Sequence, residues 1–201
     1  MKFYESGDNR KPVIFLFPGT CCLYSSFDHV LDGLHSYFYT VTVSYDGFDP
    51  NEKTEFYSME DECEKIEQEI RKKYGGRIYL VAKIQSSMVV PFMYKMVHTG
   101  TLPKFMQKKL DKTDGGKKEL YNGFLNMFGI GKGGSPWITK QSICNQFYSD
   151  LVTKVQHGID VPGTTIHVFY ATKMGRKYEK RYCTYFKNPD IRRHNMQHEE
   201  L

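Results

Sequence analysis

The segment Val13-Ile14-Phe15-Leu16-Phe17-Pro18-Gly19-Thr20 carries the strongest structural signal in this 201-residue chain. Five consecutive apolar residues that end at a Pro-Gly turn are typical of a strand buried on both faces. Such strands form parallel sheets, in which ligands bind at the loops after the strands. Because glycine lets the backbone approach a ligand closely, the N–H groups of Gly19 and Thr20 are candidate donors to an oxyanion. The alternative is an ordinary turn, since Pro-Gly is a common turn pair.

Strands and helices alternate along the first part of the chain. Three more runs have strand character, at residues 37–45, 77–82 and 164–171. Apolar residues recur at helical spacing over 27–34, and a second helix is predicted from Ser58, with Asp61 three residues on, to Gly75-Gly76. This alternation predicts parallel pairing through right-handed crossovers. We expect an α/β fold with a shortened, mainly parallel sheet and helices on both faces.

The segment 88–157 contains no convincing strand. Helices are predicted at 88–98, 104–112, 117–128 and 142–155, with glycine-rich loops between them. A helical insertion of this length over a parallel sheet predicts a cap or lid. After the last strand, we expect a helix over 176–186 and a loop over 188–201. All of this fits one domain spanning residues 1–201.

Composition excludes several classes of function. The net charge of +5 comes from 28 basic and 23 acidic residues without a run of five like charges, which predicts a solvated exterior and no nucleic-acid partner. No apolar stretch approaches the roughly 20 residues that span a bilayer. The five cysteines show neither CxxC nor Cys/His spacing, so we expect no metal, no disulfide framework and a cytoplasmic location. No sequence feature calls for a cofactor.

Two motifs bear on catalysis or cofactor binding. Gly129, Gly131 and Gly134 satisfy GxGxxG, but they follow a predicted helix instead of a strand, so a lid loop is the better interpretation. The GxSxG turn that exposes a nucleophilic serine does not occur anywhere in the sequence. Ser86 and Ser87 do follow the third strand, where such a serine would lie. Bulky neighbours favour helix capping for both, and Ser86 stays the candidate nucleophile.

A base and an acid have one candidate each. His198 follows the last strand, which is where the histidine comes in the chain order Ser, acid, His. The acid should follow the strand at 164–171, and Glu179 is the acidic residue close to that place. Asp160 precedes the same strand and would lie at the wrong end of the sheet.

Taken together, these segments resemble an uncharacterised bacterial subgroup of the α/β-hydrolase superfamily. The resemblance is carried by Phe17-Pro18-Gly19-Thr20, Val43-Ser44-Tyr45-Asp46-Gly47-Phe48, Tyr74-Gly75-Gly76, Asn145-Gln146-Phe147-Tyr148-Ser149-Asp150-Leu151, Ile166-His167-Val168-Phe169-Tyr170-Ala171 and Met196-Gln197-His198-Glu199-Glu200. It implies serine-hydrolase chemistry, with oxyanion donors at Gly19 and Thr20 and the base at His198. It also implies that a nucleophile elbow, the GxSxG turn, follows Ala82. Two alignments are possible here: either a block of residues that includes the elbow is missing, or Gln85 stands at the nucleophile position. Arg176 stands where the resemblance implies an acid.

Three hypotheses follow. The first is a hydrolase-family protein whose ancestral activity is hydrolysis of a small ester or amide, weak or lost here because the elbow is absent. The second is a non-catalytic protein that binds a small molecule or another partner on the same scaffold. The third is a deletion product without an evolved function, since losing an interior strand would expose sheet edges.

Overall fold

A computed structural model describes residues 1–75, 78–82, 90–99 and 137–196. The chain divides into two compact units, Met1–Thr153 and Lys154–Leu201. No helix within the described ranges has the length and hydropathy needed to cross a bilayer.

The first unit contains a four-stranded sheet with the order β1-β3-β2-β4. Its strands are β1 (Lys2–Ser6), β2 (Val13–Phe17), β3 (Tyr39–Ser44) and β4 (Ile78–Ala82). Strand β2 pairs in parallel with both β3 and β4, as the alternation of strands and helices predicts. Strand β1 pairs antiparallel with β3 and was not predicted, because its residues are only partly buried and show no apolar alternation.

The helices of this unit begin and end at recognisable signals. Among the described residues they are α1 (Asp28–His35), α2 (Met59–Lys73), α3 (Val90–Thr99) and α4 (Lys140–Val152). The Ser58 hydroxyl accepts a hydrogen bond from the N–H of Asp61 at 3.2 Å, which confirms the predicted cap of α2. Acidic residues fill the first turn of α2 and basic residues fill its last turn, so the charges complement the helix dipole.

Alternate side chains of β2 point to opposite faces of the sheet and pack in two separate apolar clusters. On one face Phe15 packs with Val41, Val43 and the buried residues Ile143 and Phe147 of α4. On the other face Ile14 and Leu16 pack with Phe27, against the partly buried residues Val30, Leu31, Leu34 and Phe38. The sheet is therefore covered on both faces, as predicted. Helix α4 lies within the predicted lid segment and belongs to the core. The limits of a lid over 88–157 stay a prediction, because residues 100–136 lie outside the described part.

The second unit contains a two-stranded parallel sheet of β5 (His167–Ala171) and β6 (Asp190–His194). Helix α5 (Arg176–Tyr185) joins the two strands, close to the predicted helix over 176–186. The expectation of a loop from residue 188 onward is wrong at β6. Four of the five β6 residues are exposed and the strand has no apolar alternation, so its strand character comes from pairing with β5.

Candidate functional site

The turn after β2 lies at the carboxyl end of the parallel strands, which is where ligands bind in open α/β sheets. The carbonyl of Gly19 accepts a hydrogen bond from the N–H of Cys22 at 3.0 Å, which closes the turn. Cys21 has a φ of 59°, a left-handed conformation that residues other than glycine rarely adopt. Such backbone strain persists only where surrounding contacts hold it in place.

Two side chains of α4 supply those contacts. The side-chain oxygen Oε1 of Gln146 accepts a hydrogen bond from the N–H of Cys21 at 2.7 Å. The hydroxyl of Thr20 donates to Oδ2 of Asp150, also at 2.7 Å. Gln146 and Asp150 are four residues apart and therefore lie on the same face of the helix. The turn is thus fastened to α4 at two successive residues.

Burial raises the pKa of two groups at the turn. Burial raises the pKa of Asp150 more than the hydrogen bond from Thr20 lowers it. Burial also raises the pKa of the Cys21 thiol well above its ordinary value, and the nearby charge of Asp150 acts in the same direction. Because the thiolate is the reactive form of cysteine, Cys21 is a poor nucleophile at neutral pH.

Tyr45 is the first residue after β3 and is buried at the same edge of the sheet. Burial raises the pKa of its phenol, and the charges of Glu62 and Asp150 add to the shift. Tyr45 therefore stays neutral and keeps a hydroxyl proton that it can donate.

A cluster of carboxylates lies next to Tyr45. Asp46, Asp61 and Glu62 bring their ligand atoms within 4.8 Å of one another, so these described residues have the geometry to hold a metal ion. The ammonium group of Lys65 already bridges them, at 2.6 Å from Asp46 and 3.5 Å from Glu62 and in an ion pair with Asp61. Glu62 also accepts a hydrogen bond from the N–H of Asp46 at 3.1 Å. An ion-pair network accounts for the cluster without a metal.

A serine and a histidine do meet elsewhere in the first unit. The Ser6 hydroxyl lies 2.9 Å from Nε2 of His35, and both contact the hydroxyl of Thr40. Thr40 lies near the start of β3, so this group is at the opposite end of the sheet from the turn. Within the described residues no carboxylate bonds to His35, so the pair lacks the acid of a catalytic triad. We interpret it as a structural network.

Comparisons with known proteins bear on the fold. No protein-family model and no curated protein matches the sequence. Among solved structures, the chain is similar to a Desulfitobacterium hafniense protein assigned to the α/β-hydrolase family (TM-score 0.61, 11% identity, covering 96% of this chain and 90% of that one). A lipase-esterase related protein from Clostridium acetobutylicum gives a TM-score of 0.60 at 12% identity, with 97% and 90% covered. The enol-lactonase from Burkholderia xenovorans gives 0.53 at 11% identity, with 98% and 88% covered.

The chain has an α/β-hydrolase fold. This confirms the predicted fold class and, at the level of the fold, the family resemblance. Sequence identities this low carry no assignment of activity.

The structure describes three of the five predicted site residues of this hydrolase fold. Gly19 and Thr20 lie in the turn after β2, and their role as oxyanion donors stays a prediction. Glu179 lies on α5 in the second unit, where it accepts a hydrogen bond from Nε of Arg193 at 2.9 Å. Ser86 and His198 lie outside the described residues, so the nucleophile and base assignments stay predictions.

Sequence reasoning missed Gln146 and Asp150 as partners of the turn. Both lie in the segment 145–151, which carries part of the family resemblance, and they share a helix face with the buried residues Ile143 and Phe147. Polar side chains spaced four apart on an apolar helix face need buried partners, and that signal could have marked them. Their partners, Thr20 and Cys21, are 130 and 125 positions away in sequence. The spacing of residues along the helix therefore could not identify the turn as the partner.

Proposed function

We propose that this protein binds a small ester or amide at the turn after β2 and hydrolyses it weakly or not at all. One observation carries the proposal. The chain keeps the turn of a hydrolase fold at the carboxyl end of its parallel strands, while its sequence has no GxSxG. With oxyanion donors at Gly19 and Thr20 and no nucleophile elbow, such a fold would retain only the residual acceleration from binding and charge stabilisation.

Each candidate residue has a defined role in the proposal. Backbone N–H groups at Gly19 and Thr20 would stabilise the oxyanion that forms when the acyl carbon is attacked. His198 would take the proton from an attacking water, because the sequence gives Ser86 no GxSxG context that would activate it, and would deliver that proton to the leaving alcohol or amine. Glu179 would orient the histidine. We expect the reaction in the cytoplasm and without a cofactor.

One contact favours the second candidate function, a non-catalytic protein that binds small molecules. The N–H of Cys21, next to the predicted donors, is already bonded to Gln146 within the protein. An N–H that is bonded to a protein oxygen cannot stabilise an oxyanion unless that oxygen moves away.

Hydrolysis of p-nitrophenyl butyrate tests the proposal. We compare the wild-type protein with Ser86→Ala, Ser87→Ala and His198→Ala. The wild-type kcat/KM should fall orders of magnitude below that of a full triad, because the sequence has no GxSxG. Both serine variants should keep the wild-type rate. A loss of about 100-fold or more in either serine variant would show an intact nucleophile and overturn the proposal.

A further inference from the structure

The hydrogen bond between Gln146 and Cys21 places an amide carbonyl oxygen on an N–H at the candidate binding turn. Esters and amides present the same type of oxygen. We propose that Gln146 is a positioning residue that competes with the bound ligand for the N–H of Cys21. The inference rests on the proposed function and adds a gate to the same site, by which we mean that the Gln146 oxygen blocks the N–H of Cys21 until a ligand oxygen replaces it.

The position of Gln146 is fixed by the core. Its neighbours on the helix face, Ile143 and Phe147, pack with the strands, and Gln146 itself is 1% exposed. A hydrogen bond of 2.7 Å that is shielded from water is stronger than the same bond in solvent. Gln146 therefore holds the N–H of Cys21 from a rigid element.

The turn keeps a second attachment that does not depend on Gln146. Thr20 donates to Asp150 on the same helix, and Cys22 donates to Gly19 within the turn. Loss of the Gln146 bond would therefore leave the turn in place with one N–H unpaired. A ligand oxygen is then the natural acceptor for that donor, because a buried N–H without a partner is unfavourable.

The simpler explanation is that Gln146 only ties the turn to α4. The strained φ of 59° at Cys21 is compatible with both explanations. They predict opposite effects on activity. A purely structural tie predicts that removing the side-chain oxygen lowers both stability and hydrolysis, whereas a competing oxygen predicts that hydrolysis rises while stability falls.

Gln146→Met separates the two explanations, because methionine has a similar length and lacks the carbonyl oxygen. Gln141→Met is the matched control, since Gln141 is an exposed residue of the same helix that bonds to Asn145. We expect Gln146→Met to raise kcat/KM for p-nitrophenyl butyrate by about tenfold or more, in line with the effect of one oxyanion donor. The control should keep the wild-type rate. If the wild type hydrolyses the ester at a measurable rate, an unchanged or lower rate in Gln146→Met overturns the inference.

A second measurement does not depend on hydrolysis or on the folding of a variant. Wild-type protein labelled with ¹⁵N-cysteine gives one amide signal for each of its five cysteines, and butyramide serves as the probe. Butyramide should shift the Cys21 amide more than the amide of Cys63, an exposed residue of α2 in the same unit. No shift at Cys21 at saturating butyramide overturns the inference.

The two measurements also separate this inference from the proposed function. Equal ester hydrolysis by the wild-type protein and both methionine variants would reject the inference about Gln146 and leave the proposed function standing. A butyramide shift at Cys21, together with no ester hydrolysis by any of the proteins, would keep the inference and leave the second candidate function, binding without catalysis.

Discussion

Gly47, just after β3, is a position that admits no side chain. Its φ is +77°, and an added Cβ would lie 2.3 Å from the Ser142 hydroxyl and 2.8 Å from the backbone nitrogen of Phe56. Those two groups are hydrogen-bonded to each other at 3.1 Å, so neither can move aside cheaply. This glycine lets the loop after β3 dock on α4.

We expect Gly47→Ala to lower the free energy of unfolding by about 2 kcal/mol or more, because it combines backbone strain with a backbone clash. Urea denaturation measures the change. Gly33→Ala is the control, since Gly33 lies within α1 and an added Cβ meets nothing within 4 Å. That variant should gain about 0.5–1 kcal/mol from helix propensity. Equal effects of the two substitutions would contradict the assigned geometry.

Glu62 makes the stability depend on pH. Burial raises its pKa to about 7 from an ordinary value of 4.5. Between these values the folded state holds a proton that the unfolded state has released. The stabilisation from Glu62 is therefore complete below pH 4.5 and is lost as the pH rises through 7.

The comparison of wild type with Glu62→Gln measures this contribution. The wild type should lose about 2 to 3 kcal/mol more than the variant between about pH 5 and pH 8, because glutamine does not titrate. Urea titrations at several pH values give the two curves. Parallel curves would mean that the Glu62 carboxyl is not buried as described.

At the scale of elements, the cap of α2 contributes a definable amount. Ser58→Ala removes the acceptor for the N–H of Asp61 and should lower the free energy of unfolding by about 1 kcal/mol. Ser58→Asp keeps an acceptor and should stay close to wild type. Thermal unfolding of the three proteins measures the difference. A Ser58→Asp variant as unstable as Ser58→Ala would argue against a capping role.

Elements with strong local signals could be predicted from the sequence. Strand β2 is a continuous apolar run, and α2 has a cap, an apolar stripe and a glycine stop, so both appear close to their predicted limits. Strands β1 and β6 lack apolar alternation and form by pairing with stronger strands. The bond from Cys21 to Gln146 joins residues 125 positions apart, so only the folded chain reveals it.

At the scale of the whole molecule, the prediction of one domain can be tested by unfolding. The chain has one tryptophan, Trp137, which lies in the first unit. A single domain predicts that tryptophan fluorescence and amide exchange in β5 and β6 report the same transition in urea, since small domains unfold cooperatively. Two separate midpoints would show that Lys154–Leu201 is a domain of its own.

We propose that an α/β-hydrolase fold persists here without an activated serine, and a fluorophosphonate probe followed by peptide mass spectrometry detects such a serine. We expect no serine to carry the phosphonyl group after a time that labels a control serine hydrolase completely. A stoichiometric adduct on Ser86 or Ser87 would contradict it.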